Sequence, residues 1–182
     1  MENTAALNAT FSAGLLHKIV DQYKNTSDHI TMELNKRITH IDITNPLVQI
    51  SLDMFNDIVE WIEHELGSAN LKMIGIIMGE TAYNDLKAKN KINERLTPKD
   101  AIETLPLVSQ SLIIDPLKRT WKVLEISDNF ARIKRSQVFH PTIQIGIIES
   151  FIRKAGVVFP RTRLIRDYKQ GPAFDEFEIT WY

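Results

Sequence analysis

The chain has 182 residues, 43% hydrophobic and 25% charged, with a formal net charge of -1 and no cysteine. A chain of this length buries about two-thirds of its unfolded surface without help from metals or disulfides, and the balance is that of a globular protein rather than a disordered one. The lack of thiols excludes disulfide scaffolds, thiolate zinc sites, iron–sulfur clusters and cysteine nucleophiles. Residues 1–10 show no basic segment leading into an apolar run, and no apolar stretch approaches the roughly 20 residues of a membrane span. A cytoplasmic protein forming a single domain over residues 1–182 is expected, with its first ten residues flexible.

Taken in order, residues 11–23 carry Phe11, Leu15, Leu16, Ile19, Val20 and Tyr23 at the spacing of one helical stripe. Residues 27–43 fit two patterns: Ile30, Leu34, Ile38 and Ile41 suit a helix, whereas Ile38-Thr39-His40-Ile41-Asp42-Ile43 could be extended, and Pro46 closes the segment. A helix is predicted from Ser51, with Leu52, Phe55, Ile58, Val59, Ile62 and Leu66 on one face and Gly67 as its stop. The next, from about Ala69 to Leu86, carries Gly75 and Gly79, whose spacing invites close approach by a neighbouring helix rather than a phosphate loop, since no Lys-Ser/Thr follows.

Thr97-Pro98-Lys99-Asp100 opens a helix over 98–113 that contains Pro106, an expected kink or break. Residues 120–126 and 129–135 alternate as two strands around a Ser127-Asp128-Asn129 turn. A helix over 142–154 closes at Gly156, and strands over 157–168 and 174–181 are joined by Lys169-Gln170-Gly171-Pro172. The expected fold class is α+β, a helical N-terminal half packed on a C-terminal antiparallel sheet with one inserted helix.

Charge is unevenly spread: residues 1–115 hold 10 Lys/Arg against 16 Asp/Glu, and residues 116–182 hold 12 against 7. Cations interleaved with Trp121, Phe130 and Phe139 could meet a nucleic acid, but alternating Arg161, Arg163 and Asp167 read more simply as the wet face of a sheet. Nucleic acid is therefore disfavoured as a partner.

The order of a helix ending in Leu66-Gly67, a Gly-bearing helix from Gly75 to Tyr83, a helix closing at Asp115-Pro116, two strands, the Gly146 helix and a final Phe177-Glu178-Ile179-Thr180-Trp181 strand resembles one superfamily. This is the group of haem nitric-oxide-binding and 4-vinyl reductase-type small-molecule sensor domains, and the chain looks closest to its bacterial relatives of unassigned function. The resemblance spans residues 44–182 and implies helices covering a sheet, with any ligand between them. It also implies, in the haem-binding members, a proximal His on the helix before the strand pair and a Tyr-x-Ser-x-Arg motif for the haem propionates. Here the helix over 98–113 has no His, and Phe130-Ala131-Arg132-Ile133-Lys134-Arg135-Ser136 reads as lacking both the Tyr and the spacing. The expectation is that no cofactor is held, haem included, because the axial ligand and the clamp are what a protein must supply.

No residue set completes a catalytic constellation. Ser109 and Ser111 lack a nucleophile elbow, and Glu60 with His64 falls short of a metal site. A non-catalytic regulatory domain is expected, sensing a small apolar or amphipathic ligand. Candidate ligand contacts are Trp61, Met78 and Tyr83 from the helices, Trp121 and Phe139 from the sheet, and Arg135 with His140 where an anion could meet a helix start. The alternative is an interaction or adaptor module acting as a homodimer or on a protein partner without ligand.

Overall fold

The computed structural model describes residues 9–24, 26–136, 139–167 and 174–182. The linker over 169–172 and most of the first ten residues, for which a turn and flexibility are expected, lie outside the described residues. A short strand β1 (Thr10–Ser12) leads into helix α1 (Ala13–Tyr23), and helix α2 (Asp28–Ile38) follows. Strand β2 (Gln49–Ser51) then leads into helices α3 (Leu52–Leu66), α4 (Ser68–Ala88) and α5 (Pro98–Leu112). Strands β3 (Trp121–Ile126) and β4 (Phe130–Arg135), helix α6 (Pro141–Arg153), and strands β5 (Arg161–Arg166) and β6 (Asp175–Thr180) complete the order.

The helix starts are fixed by side-chain chemistry. Ser12, Ser27 and Ser51 accept backbone N–H groups of Gly14, Ile30 and Met54, each at 3.2 Å. Thr97 and Asp100 form a reciprocal capping box, with the Thr97 N–H donating to Asp100 at 2.9 Å and the Asp100 N–H to Thr97 at 3.1 Å. Gly67 ends α3 at φ 84, a backbone conformation that favours glycine.

Residues 28–38 resolve the two-way reading as helix, burying Ile30, Leu34 and Ile38. Phe11, by contrast, lies on β1 rather than in α1, paired antiparallel with Ile50 of β2. Pro106 does not break α5. Its missing N–H and ring clash cost about 3 kcal/mol, and the fully buried Ile102, Leu105 and Val108 on the same helix offset this at about 1.5–3 kcal/mol per side chain.

Helices α4 and α6 meet backbone to backbone. A Cβ on Gly75 would lie 2.1 Å from the Ile143 carbonyl, and one on Gly146 would lie 2.2 Å from the Lys72 carbonyl. The four-stranded antiparallel sheet runs β3-β4-β6-β5, with α6 inserted between β4 and β5 in sequence. Helix α5 packs on β3 and α6 on β5, so the helical half covers the sheet. Across three strands the register places Trp121 beside Arg135 and Arg135 beside Asp175, so β4 presents Arg135 at its end between an indole and a carboxylate. No helix among the described residues is long and apolar enough to cross a membrane.

Candidate ligand site at the helix–sheet corner

Strand β4 buries alternate residues, Ala131, Ile133 and Arg135, on one face. The alternation therefore carries a guanidinium to the interior, where Arg135 is fully buried. Its guanidinium carbon lies 4.0 Å from the Trp121 ring centroid and 5.2 Å from that of Phe139. One terminal nitrogen donates to the Ser109 hydroxyl at 3.0 Å, and that hydroxyl donates onward to the Arg119 carbonyl at 3.2 Å.

The other two nitrogens of Arg135, Nε and Nη1, are buried with no hydrogen-bond partner among the described residues, as is the indole Nε1 of Trp121. Burial pushes the Arg135 pKa down to about 9. Asp115 and Asp175 oppose that shift while Arg119 adds to it, and the group stays charged at neutral pH.

Around this cation the supports are rigid. Asp115 grips Arg119 through two bonds, at 2.7 and 3.2 Å. Burial raises the Asp115 carboxyl, but the bonds from Arg119 and from the Leu117 and Arg119 backbone N–H groups more than offset it, holding the carboxyl below its ordinary range. The Gln144 amide donates to the Phe139 carbonyl at 3.0 Å and to Asp175 at 2.7 Å. Phe139 stacks edge-on against Phe55 at 5.6 Å, and Phe55 against Phe11 at 4.6 Å, tying the corner to the helical half.

Two cavities open here. One of about 320 Å³ lies against Ser109, Gln110, Ile113 and Asp115, and one of about 410 Å³ reaches Arg135; Lys118 and Arg119 line both.

The structure gathers three of the candidates, Trp121, Arg135 and Phe139. Trp61 sits on α3 under the Arg37 guanidinium, 4.9 Å from its centroid. Met78 is a fully buried core residue of α4, and Tyr83 packs edge-on against Phe151 at 5.8 Å. His140 caps α6 by accepting the Thr142 N–H at 3.2 Å, with its other ring nitrogen 3.7 Å from Glu63. Ser109, Asp115, Arg119 and Asp175 belong to the site but carry no motif in the sequence. The signal that could have found it is the Ala131, Ile133, Arg135 alternation.

No protein-family model and no curated protein matches the chain. Solved structures do. An H-NOX domain from Shewanella oneidensis in the Fe(II)CO ligation state superposes with a TM-score of 0.69 at 10% identity, over 93% of this chain and 98% of that one. The H-NOX of T. tengcongensis superposes at 0.65 and 8% identity, over 93% and 97%. A trafficking protein particle complex subunit 3 from Naegleria fowleri, covalently bound to palmitic acid, superposes at 0.56 and 11% identity, over 72% and 92%. The chain thus has the H-NOX fold.

This likeness corrects the expectation that haem is excluded. Structures sharing the fold over nearly the whole chain are described in iron ligation states. Ala131, Ile133 and Arg135 occupy alternate positions of one strand face, with Arg in the last. The fit of these residues to haem is nonetheless confined to that arginine. The interior residues of α5 include Ile102, Leu105, Val108 and Leu112 and offer no imidazole. None of the five histidines is buried, and the part-buried His140 is engaged as a cap.

Proposed function

We propose that this chain is a non-catalytic regulatory domain of the bacterial cytoplasm that senses a small amphipathic ligand at the corner between α5 and the sheet. Arg135 fixes the ligand's polar end, and Trp121 and Phe139 flank it. The observation that carries this reading is the fully buried guanidinium with two unpartnered N–H groups. Each unmet buried donor costs about 1–3 kcal/mol, and native proteins rarely tolerate such groups unless something supplies the acceptor.

The H-NOX structures, described in iron ligation states, make haem a candidate cofactor. The palmitoylated neighbour suggests an acyl chain, which here would have to bind without a thioester because the chain has no cysteine. The alternative of an interaction module acting as a homodimer is favoured by Val158 and Phe159, 67% and 79% exposed just before the edge strand β5.

Native mass spectrometry of the purified protein, with absorption spectra before and after adding haem, tests the proposal. A mass that leaves on denaturation, or saturable binding of haem or a fatty acid, is expected and is lost in Arg135→Met. A Soret band would make haem the ligand. A bare chain that binds nothing and runs as a stable dimer would favour the interaction module.

A further inference from the structure

The larger corner cavity is lined by five cationic residues and, among the described residues, no carboxylate. Lys118, Arg119, Lys122, Lys134 and Arg135 line its 410 Å³, with Phe174 as an aromatic wall. Lys122 and Lys134 are directly opposite each other in the β3–β4 register, a like-charge pairing that destabilises a sheet. Among the described residues neither is ion-paired, nor is Lys118; Lys134 instead lies 4.7 Å over the Phe174 ring.

The nearby carboxylates are already engaged. Asp115 is held by Arg119, and Asp175 accepts from Gln144. Glu176, across from Lys134 on β6, lies 3.5 Å from Arg132 and 3.8 Å from Arg166. Charge is therefore concentrated at the rim with little to neutralise it, and Arg135, which also lines the cavity, keeps Nε and Nη1 without a hydrogen-bond partner among the described residues.

We propose that this pocket binds the phosphate or diphosphate group of a small organic ligand, with Arg135 as the deep anchor and Lys118, Lys122 and Lys134 as the rim. This rests on the sensor reading and names the ligand class of that same site. One feature selects phosphate over a single carboxylate: the three lysines beyond Arg135, with no ion pair among the described residues, call for a multiply charged anion. The exposed Leu117 and the Phe174 ring give the organic part apolar surface.

Isothermal titration calorimetry of the full chain decides it, with inorganic pyrophosphate, a nucleoside diphosphate, vesicles containing phosphatidic acid, and the controls acetate, a fatty acid and haem. Saturable binding of pyrophosphate or of a phosphate-bearing ligand is expected, weakening steeply with salt. Arg135→Met should abolish it, and the rim variant Lys122→Gln/Lys134→Gln, which alters only side chains outside the core, should weaken it at least tenfold. Preference for the nucleotide or for the vesicles identifies a soluble metabolite or a lipid headgroup as the source. Binding unchanged in the rim variant overturns the proposal. If only haem or the fatty acid binds, the phosphate assignment fails and the sensor reading stands. If nothing binds, both fail.

Discussion

Replacing Gly146 with alanine separates local propensity from packing, because the two predict opposite signs. In an isolated helix interior Gly→Ala is stabilising by about 1 kcal/mol. In this structure the added Cβ would lie 2.2 Å from the Lys72 carbonyl and 2.9 Å from the Gly75 Cα, so it falls 0.8 Å short of the 3.0 Å that Cβ atoms respect. Both obstacles are backbone, and no rotamer change relieves them. Helices α4 and α6 must part, and overpacking of this kind costs about 1–3 kcal/mol or more. The net expectation is a loss of up to about 2 kcal/mol, read as a fall of up to about 8 °C in Tm for a protein of this size. Circular dichroism melts together with urea titrations measure it. A Tm at or above wild type would refute the backbone-contact packing of α4 on α6.

Ser51→Ala removes the α3 cap, a bond of 3.2 Å to Met54, and should cost about 1 kcal/mol in urea titration. Burial pushes the Tyr23 phenol up to about 12. The fold therefore holds its proton longer than the unfolded chain does, and stability falls as pH rises from about 10 towards about 12. Ultraviolet titration should show one late-ionising tyrosine that Tyr23→Phe removes, and its survival in that variant would contradict the assignment. Asp115 is held below its ordinary value, so its contribution is present above about pH 4 and fades as pH falls through the folded value. The stability difference between wild type and Asp115→Asn should accordingly shrink on acidification, and a constant difference from neutral pH to about pH 2 would sink the Arg119 pairing.

The long helices were legible because burial imposes a 3.6-residue stripe, visible in Leu52, Phe55, Ile58, Val59 and Ile62. The Gly75/Gly79 pair announced its packing because only glycine lets two backbones touch. Strands β1 and β2 were not legible. Each spans three residues, too few for alternation to show, and they are held by pairing with each other and by the bridge from Thr10 to Ile114. Pro106 misled because tertiary burial outweighs a local break. The site was half legible: aromatic residues can be named from sequence, but packed core cannot be told from pocket wall, so Met78 and Tyr83 looked like Trp121 and Phe139. Arg135 is legible in the sequence as a candidate contact for an anion at a helix start, but its inward direction is not, since inward arginines are rare. Only the burial of Ala131 and Ile133 beside it reveals its direction.

The most direct test of the central claim is the nitrogen-15 NMR signal of the Arg135 Nε–H, assigned by its loss in Arg135→Lys. The account predicts a signal slow to exchange with solvent that shifts on saturation with the ligand found by calorimetry, together with Trp121 and Phe139. A ligand that saturates while this resonance stays still, with shifts instead around Trp61, Met78 and Tyr83, would move the site elsewhere in the fold and contradict the role assigned to Arg135.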